Sequence, residues 1–159
     1  MDGQLDEEQY RKAAECAAKM LARRPLSAAM LEQKLLEKNF CEEAAGYAVE
    51  RMRVLGAVDD AAFAELVVRS YARKGCGELR IRQELRVRGV PDDVIAQALR
   101  GFEPEQDAML KLLDKRLHGD VSDRRECEKA MVALQRRGFT FSQIRAAMQA
   151  YRAGAEEDQ

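Results

Sequence analysis

The stretch LEQKLLEKNF at residues 31–40 determines the fold, because its pattern returns as IRQELRVRGV at residues 81–90 and as AMVALQRRGF at residues 130–139. In each copy apolar residues recur at helical spacing, and the helix runs into a basic residue followed by Asn or Gly. Asn and Gly tolerate the left-handed backbone conformation with which many helices end. The pattern therefore predicts three equivalent helices that stop in the same way.

A further helix is predicted after each stop. Its apolar positions coincide in the three copies: Phe40, Ala45 and Val49, then Val90, Ile95 and Leu99, then Phe139, Ile144 and Met148. In the third copy Thr140 and Gln143 fit a capping box, and Phe139 with Ile144 fits a hydrophobic staple. These features predict a turn of fixed geometry between the two helices.

One more amphipathic helix precedes each pair, over residues 7–23, 61–73 and 105–117, and Asp59 or Asp60 is expected to cap the second. We expect an all-α, elongated tandem array of three three-helix repeats. The repeats span residues 7–58, 59–103 and 104–153, and a polar tail follows at 154–159. A single globular bundle with vestigial repeats is the alternative.

The composition of the chain limits the classes of function that it can have. The chain has 159 residues, of which 35% are charged, and its net charge is -1, so any basic surface must be local. The acidic N-terminus does not resemble a signal peptide, and no apolar run could span a membrane, so we expect a cytoplasmic protein. The four scattered cysteines predict reduced thiols in or near the core, with no metal.

No catalytic motif is present in the sequence. The single histidine, His118, stands beside Gly119 where a helix is predicted to end, which is a structural position. Gly75-Cys76-Gly77 lacks the spacing of a phosphate-binding loop and predicts a turn between helices. We therefore expect a protein that is not an enzyme and needs no cofactor.

A local basic surplus lies in the middle repeat, where residues 69–90 contain seven cations and two anions. The cations are the candidate partner- or DNA-binding residues: Arg69, Arg73, Lys74, Arg80, Arg82, Arg86 and Arg88. Glu78 and Glu84 stand four residues before Arg82 and Arg88, so a solvated helix with internal ion pairs is an equal alternative.

These two ion pairs leave four of the cations without an assigned acidic partner: Arg69, Arg73, Lys74 and Arg86. We therefore nominate them to contact an acidic surface or a phosphate backbone. The aromatic residues on the apolar stripes are expected in the core rather than as stacking platforms: Phe40, Tyr47, Phe63, Tyr71 and Phe139. Without such platforms a protein partner is favoured over nucleic acid alone.

The segments LGAVDDAAFA at residues 55–64, YARKG at 71–75 and RIRQELRVRGV at 80–90 closely resemble the bacterial RecX regulatory proteins. LARRPLS at 21–27 and Lys34-Leu35 are similar to that family's first repeat. The resemblance covers roughly residues 13–151. The sequence departs from the family pattern at Asn39, where glycine is common. It also departs in the third repeat, which matches weakly and carries an extension at 119–122.

The resemblance implies a non-enzymatic modulator of the RecA recombinase. Proteins of this kind are elongated arrays of three-helix repeats that bind the RecA filament and mainly inhibit its recombinase, ATPase and co-protease activities in DNA repair and the SOS response. Some also bind single- or double-stranded DNA. We expect a monomer. Direct DNA binding in competition for the strand, and a scaffold role unrelated to DNA, are the alternatives.

Overall fold

The computed structural model describes the backbone of residues 2–158, and the side chains of residue 3 and residues 6–158. In this part of the chain there are nine helices and no strand. The helices are α1 (Asp2–Arg23), α2 (Ala28–Glu37), α3 (Glu42–Val54), α4 (Asp60–Arg73), α5 (Glu78–Val87), α6 (Asp92–Ala98), α7 (Gln106–Leu117), α8 (Arg124–Arg136) and α9 (Phe141–Glu157). The all-α class and the tandem three-helix repeats are confirmed.

Two helices extend beyond the predicted limits. Helix α1 begins at Asp2 rather than near residue 7. Helix α9 continues to Glu157, so helical structure runs into the segment predicted as a polar tail. The last residue of that tail, Gln159, lies outside the described residues.

Contacts between Cα atoms divide the chain into two compact units. The first consists of the chain up to Leu66 together with Leu85–Ala98, and the second of Val67–Glu84 together with the chain from Leu99 onward. Helices α4 and α5 contribute residues to both units. Each unit therefore contains one complete outer repeat and part of the middle repeat.

The first unit is built around the core of the first repeat. Ala13 and Ala17 of α1 and Ala44 and Ala48 of α3 are fully buried in one cluster, and their small side chains let the two helices approach closely. Leu31 of the repeated stretch is also fully buried. The apolar face that the sequence predicts for α2 is therefore the face that closes this core.

The second unit contains the core of the third repeat. Met109 and Leu113 of α7, Leu134 of α8 and Ile144 of α9 are at most 5% exposed in one cluster. Phe139, just before α9, is 2% exposed in the same cluster. The residues predicted to form the hydrophobic staple are thus both part of the core.

Local capping signals in the sequence are confirmed. The Thr140 backbone N–H donates to Gln143 Oε1 at 2.9 Å, and the Gln143 N–H donates to Thr140 Oγ1 at 3.2 Å. Asp59 caps α4, because its Oδ1 accepts from the Ala62 N–H at 3.2 Å. Asp60, the other capping candidate, accepts instead from the Ala28 N–H at the start of α2.

The three helix stops have the predicted left-handed backbone, with φ of 70° at Asn39, 74° at Gly89 and 93° at Gly138. The three positions differ in the room that they leave for a side chain. A Cβ on Gly89 would overlap the Cβ of Ala29, and a Cβ on Gly138 would overlap the backbone of Arg80, whereas Asn39 is exposed. Glycine is thus required twice for close packing, while asparagine suffices where only the backbone angle matters.

The first joint, in the first unit, attaches the end of α5 to the start of α2. The fully buried Ser27 hydroxyl donates to the Arg88 carbonyl and accepts from the Met30 N–H at 3.1 Å. The Ala28 N–H donates to Asp60 Oδ1 at 2.9 Å. Free N–H groups at the start of one helix are thereby satisfied partly from the next repeat.

The second joint, in the second unit, attaches the end of α8 to the start of α5. The Gly77 N–H donates to the Arg137 carbonyl at 2.8 Å, and the Leu79 N–H donates to the Gly138 carbonyl at 3.0 Å. The Arg137 guanidinium donates through Nη1 to the Lys74 carbonyl at 3.0 Å. Gly77 leaves room for this contact, since a Cβ there would overlap the Gly138 carbonyl.

The extension in the third repeat is held by Tyr151 of α9. The Tyr151 hydroxyl accepts from the Gly119 N–H at 2.7 Å and donates to Asp114 Oδ1 at 2.9 Å. Burial, together with the Asp114 carboxylate, raises the pKa of this hydroxyl. After the extension, Asp123 starts α8 by accepting from two backbone N–H groups. The extra residues are therefore a defined part of the repeat.

Replacement of Gly138 by alanine tests whether the joints carry stability. We expect Gly138→Ala to lower the free energy of unfolding by about 3 kcal/mol or more, because a positive φ costs alanine about 1–2 kcal/mol and the new Cβ also meets the Arg80 backbone. Gly56→Ala is the control, since Gly56 has φ of 76° and open space around it. Urea unfolding followed by circular dichroism measures both; equal losses would contradict the joint.

A second test concerns the buried hydroxyl of the first joint. We expect Ser27→Ala to cost about 2–3 kcal/mol, because the helix cap and the bond to the Arg88 carbonyl are lost together. Asp123→Ala removes an exposed cap whose hydrogen bonds go to its own helix and should cost only about 1 kcal/mol. A smaller loss for Ser27→Ala in the same unfolding measurement would show that the joint contributes little.

Candidate functional site

The seven predicted cations lie at the end of α4, in the turn that follows, and along α5. Five are exposed and two are half-buried; the exposed ones are Arg69, Arg73, Lys74, Arg80 and Arg86, and the half-buried ones are Arg82 and Arg88. Arg86 and Arg88 belong to the first unit, and the other five belong to the second.

In the first unit, Arg86 has an acidic partner that the sequence interpretation missed. Its Nε lies 3.2 Å from Asp92 Oδ1, so the prediction that Arg86 is unpaired is wrong. Asp92 is not at helical spacing; the left-handed turn at Gly89 brings the start of α6 back to the end of α5. Both side chains are exposed, so the pair adds little stability, but it lowers the local surplus of positive charge.

In the second unit, the positive charges of Arg73 and Lys74 are available to an anionic partner. Arg73 Nε donates to the Arg69 carbonyl at 3.4 Å, and Lys74 Nζ lies 4.7 Å from the centre of the Tyr71 ring. Neither contact involves a carboxylate. Both residues are exposed, as predicted for residues that meet an acidic surface or a phosphate backbone.

The second joint adds a cation from the third repeat. Arg137 donates to the Lys74 carbonyl, and the backbone of Arg80 packs against Gly138. Arg73, Lys74, Arg80 and Arg137 thus surround the Gly75–Gly77 turn, and we call these four residues the joint cluster. Four positive charges around one turn produce a local potential that favours an anionic partner.

Sequence reasoning overlooked Arg137 because it lies 63 positions from its partner Lys74. The repeat alignment contains the signal, since a basic residue precedes the left-handed residue in every copy: Lys38, Arg88 and Arg137. The position of a residue within the repeat thus indicates that it belongs to a surface formed by two repeats. The number of charges in one stretch of sequence does not indicate this.

A groove between α7 and α8 carries further positive charge in the same unit. It is lined beside the 44% exposed side chain of Val132 by four cations and one acid: Arg116, Arg125, Lys129, Arg136 and Glu128. Lys129 is paired with Glu126 at 3.0 Å. Arg116, Arg125 and Arg136 lie about ten positions apart in the sequence, which is why no basic run indicated this groove.

The aromatic side chains follow the predictions with one exception. Phe63 and Phe139 are buried, and Phe40 and Tyr71 are half-buried. Tyr47 was expected in the core but is 47% exposed, because its ring stacks on Tyr10 of α1 at 5.2 Å rather than turning inward. No aromatic residue of the described chain other than Tyr71 contacts the joint cluster through a ring interaction.

The other side chains that could act as nucleophiles or metal ligands lie apart from one another. Cys76 and Cys127 are buried and Cys16 is half-buried, but Cys41 is exposed at the start of α3, so its expected core position is wrong. His118 ends α7 in the left-handed conformation. Among the side chains of residues 6–158, no group of three or more His, Cys, Asp or Glu could hold a metal ion.

None of the helices in the described chain combines the length and apolar character needed to cross a membrane.

Three family models match the chain in order. The model of the RecX first three-helix domain matches residues 13–52, that of the second domain residues 59–99 and that of the third domain residues 100–148. The third repeat, which resembles the family least at the level of motifs, is therefore included in the match.

Relatives and solved structures agree with these models. The chain is 38% identical to the regulatory protein RecX of Halorhodospira halophila, over 91% of this chain and 88% of that protein. It is 36% identical to the regulatory protein RecX of Chromohalobacter salexigens, over 83% and 88%. The crystal structure of RecX from Lactobacillus salivarius superposes with a TM-score of 0.84 at 20% identity, covering 91% of this chain and 97% of that one. The chain belongs to the RecX family of regulatory proteins.

Proposed function

We propose that this protein is a non-enzymatic regulator that binds the RecA nucleoprotein filament and mainly inhibits its recombinase, ATPase and co-protease activities. The observation that carries the proposal is the ordered match of all three RecX domains over residues 13–148. On this proposal the protein acts as a monomer in the cytoplasm, in DNA repair and the SOS response, and it needs no cofactor.

The joint cluster supports the proposal physically. Its four cations come from two successive repeats, and the backbone contacts of the second joint hold them around one turn. An acidic surface on a RecA protomer would meet four cations whose backbone positions are set by the joint, which favours specific and oriented binding. We infer that this contact hinders extension of the filament or promotes release of protomers.

The experiment is the rate of ATP hydrolysis by the cognate RecA on excess single-stranded DNA, with this protein at substoichiometric amounts. We expect the rate to fall, because the protein acts on the filament and the excess DNA removes simple competition for the strand. An unchanged rate would contradict the proposed filament binding.

Charge reversal tests the site within the same assay. We expect Arg73→Glu, Lys74→Glu and Arg80→Glu together to weaken inhibition about tenfold or more, because three attractive contacts become repulsive. Lys111→Glu, Arg145→Glu and Arg152→Glu make the same change of charge in the third repeat, outside the cluster, and should inhibit like the unaltered protein. Arg137 is left intact because it supports the second joint. Full inhibition by the first variant, with unchanged circular dichroism, would remove the site and leave the function standing.

Direct binding to DNA is the second candidate function, favoured by the concentration of exposed cations in the second unit. If the four cations of the joint cluster each displace a counterion from single-stranded DNA, the logarithm of the binding constant should fall with the logarithm of salt concentration with a slope of about -3. The measurement is fluorescence anisotropy of a labelled oligonucleotide without RecA. A slope near zero, or no binding, would contradict this candidate.

A further inference from the structure

The first repeat has a basic groove of its own, between α1 and α2. It encloses about 450 Å³ and is lined by five cations and one acid: Lys19, Arg23, Arg24, Lys34, Lys38 and Glu37. All of these residues lie in the first unit, whereas the joint cluster lies in the second. The groove was not expected, since the sequence shows its cations in two short groups separated by ten residues or so of the chain.

The charge in this groove is not neutralised within the described part of the chain. No ion pair joins any of its five cations to a carboxylate there. The one acidic lining residue, Glu37, accepts from the Gln33 side-chain amide at 3.4 Å on its own helix. The groove therefore presents a surplus of positive charge to solvent, and an anionic occupant would restore the balance.

The floor of the groove is apolar. Cys16 and Met20 of α1 are half-buried there, and Leu26 is 3% exposed. None of the lining residues is aromatic, so the groove offers no platform on which a base could stack. An apolar floor beneath a cationic rim suits a ligand that carries acidic groups around an apolar side chain.

The same groove recurs in the third repeat. There Lys115 and Arg137 stand where the first repeat has Lys19 and Lys38, and Leu112 stands in place of Cys16. Two copies with a cation at both equivalent positions, separated by about a hundred residues of sequence, show that the arrangement belongs to the repeat. It is not a coincidence of one surface.

We propose that the α1–α2 groove is a docking site for an acidic segment of a protein partner that inserts one or two apolar side chains, of the size of leucine, between Met20 and Leu26. The cations of the rim pair with the acidic residues on either side of that anchor. This inference takes from the proposed function only that the partner is a protein. It describes the chemistry of a second contact, separate from the joint cluster.

The probe is a fluorescein-labelled peptide, EDLEDLEDE, titrated with the full chain and followed by anisotropy without RecA. We expect it to bind about tenfold more tightly than EDSEDSEDE, which keeps the charge but lacks the anchor, because burial of a leucine adds affinity. Equal binding of the two peptides would overturn the apolar anchor. Tighter binding of a single-stranded oligonucleotide of the same charge, if Lys34→Glu with Lys38→Glu abolishes it, would assign the groove to nucleic acid instead.

Variants locate the binding on the molecule. Lys34→Glu with Lys38→Glu should weaken binding of EDLEDLEDE about tenfold or more, and the glutamine versions of both should have an intermediate effect. Arg11→Glu with Arg51→Glu is the matched control, since these residues line a different groove, between α1 and α3, in the same repeat. Equal weakening by the control pair would overturn the assignment.

Cys16 provides a direct report from the floor of the groove. Saturating EDLEDLEDE should slow alkylation of the Cys16 thiol by a maleimide several-fold, while the exposed Cys41 reacts at an unchanged rate as an internal reference. Unaltered reaction at Cys16 under saturation would overturn the proposed position. Because RecA is absent from these measurements, their failure would leave the ATPase test of the proposed function untouched.

Discussion

The docking of one helix end onto another is the constraint on which the structure depends. Helices α2 and α5 have ten residues each, so a large share of their backbone groups lies in terminal turns that lack intrahelical partners. At the second joint, free carbonyls at the end of α8 accept from free N–H groups at the start of α5. At the first joint side chains satisfy the helix ends: the Ser27 hydroxyl donates to a carbonyl at the end of α5, and the Asp60 carboxylate accepts from an N–H at the start of α2. Both joints satisfy polar groups that would otherwise be lost from water at a cost.

Features that depend on neighbours in the chain could be predicted from the sequence. The left-handed stops at Asn39, Gly89 and Gly138, the capping box at Thr140 and the helix register all follow from residues within a few positions of one another. The helix stops and the register also occurred three times, so one copy could be checked against the others. The fold class was accessible for that reason.

Features that depend on contacts between repeats could not be predicted in this way. The bond from Arg137 to the Lys74 carbonyl joins residues that no helical spacing relates, and the Arg86–Asp92 pair forms only because a turn reverses the chain. The ring of Tyr47 lies on an apolar stripe, but it stacks on the half-buried ring of Tyr10 instead of entering the core. Of the candidate site, the cations of the middle repeat were identified and their companions in the outer repeats were not.

The two halves of a joint are distributed unequally among the repeats. The middle repeat carries both halves, a receiving helix start at Gly77 and an inserting stop at Gly89. The first repeat ends its middle helix with the side chain of Asn39, and the third begins its middle helix behind the Tyr151-held extension and the Asp123 cap. The outer repeats therefore act as end caps, and a designer who wished to lengthen the protein would duplicate the middle repeat alone.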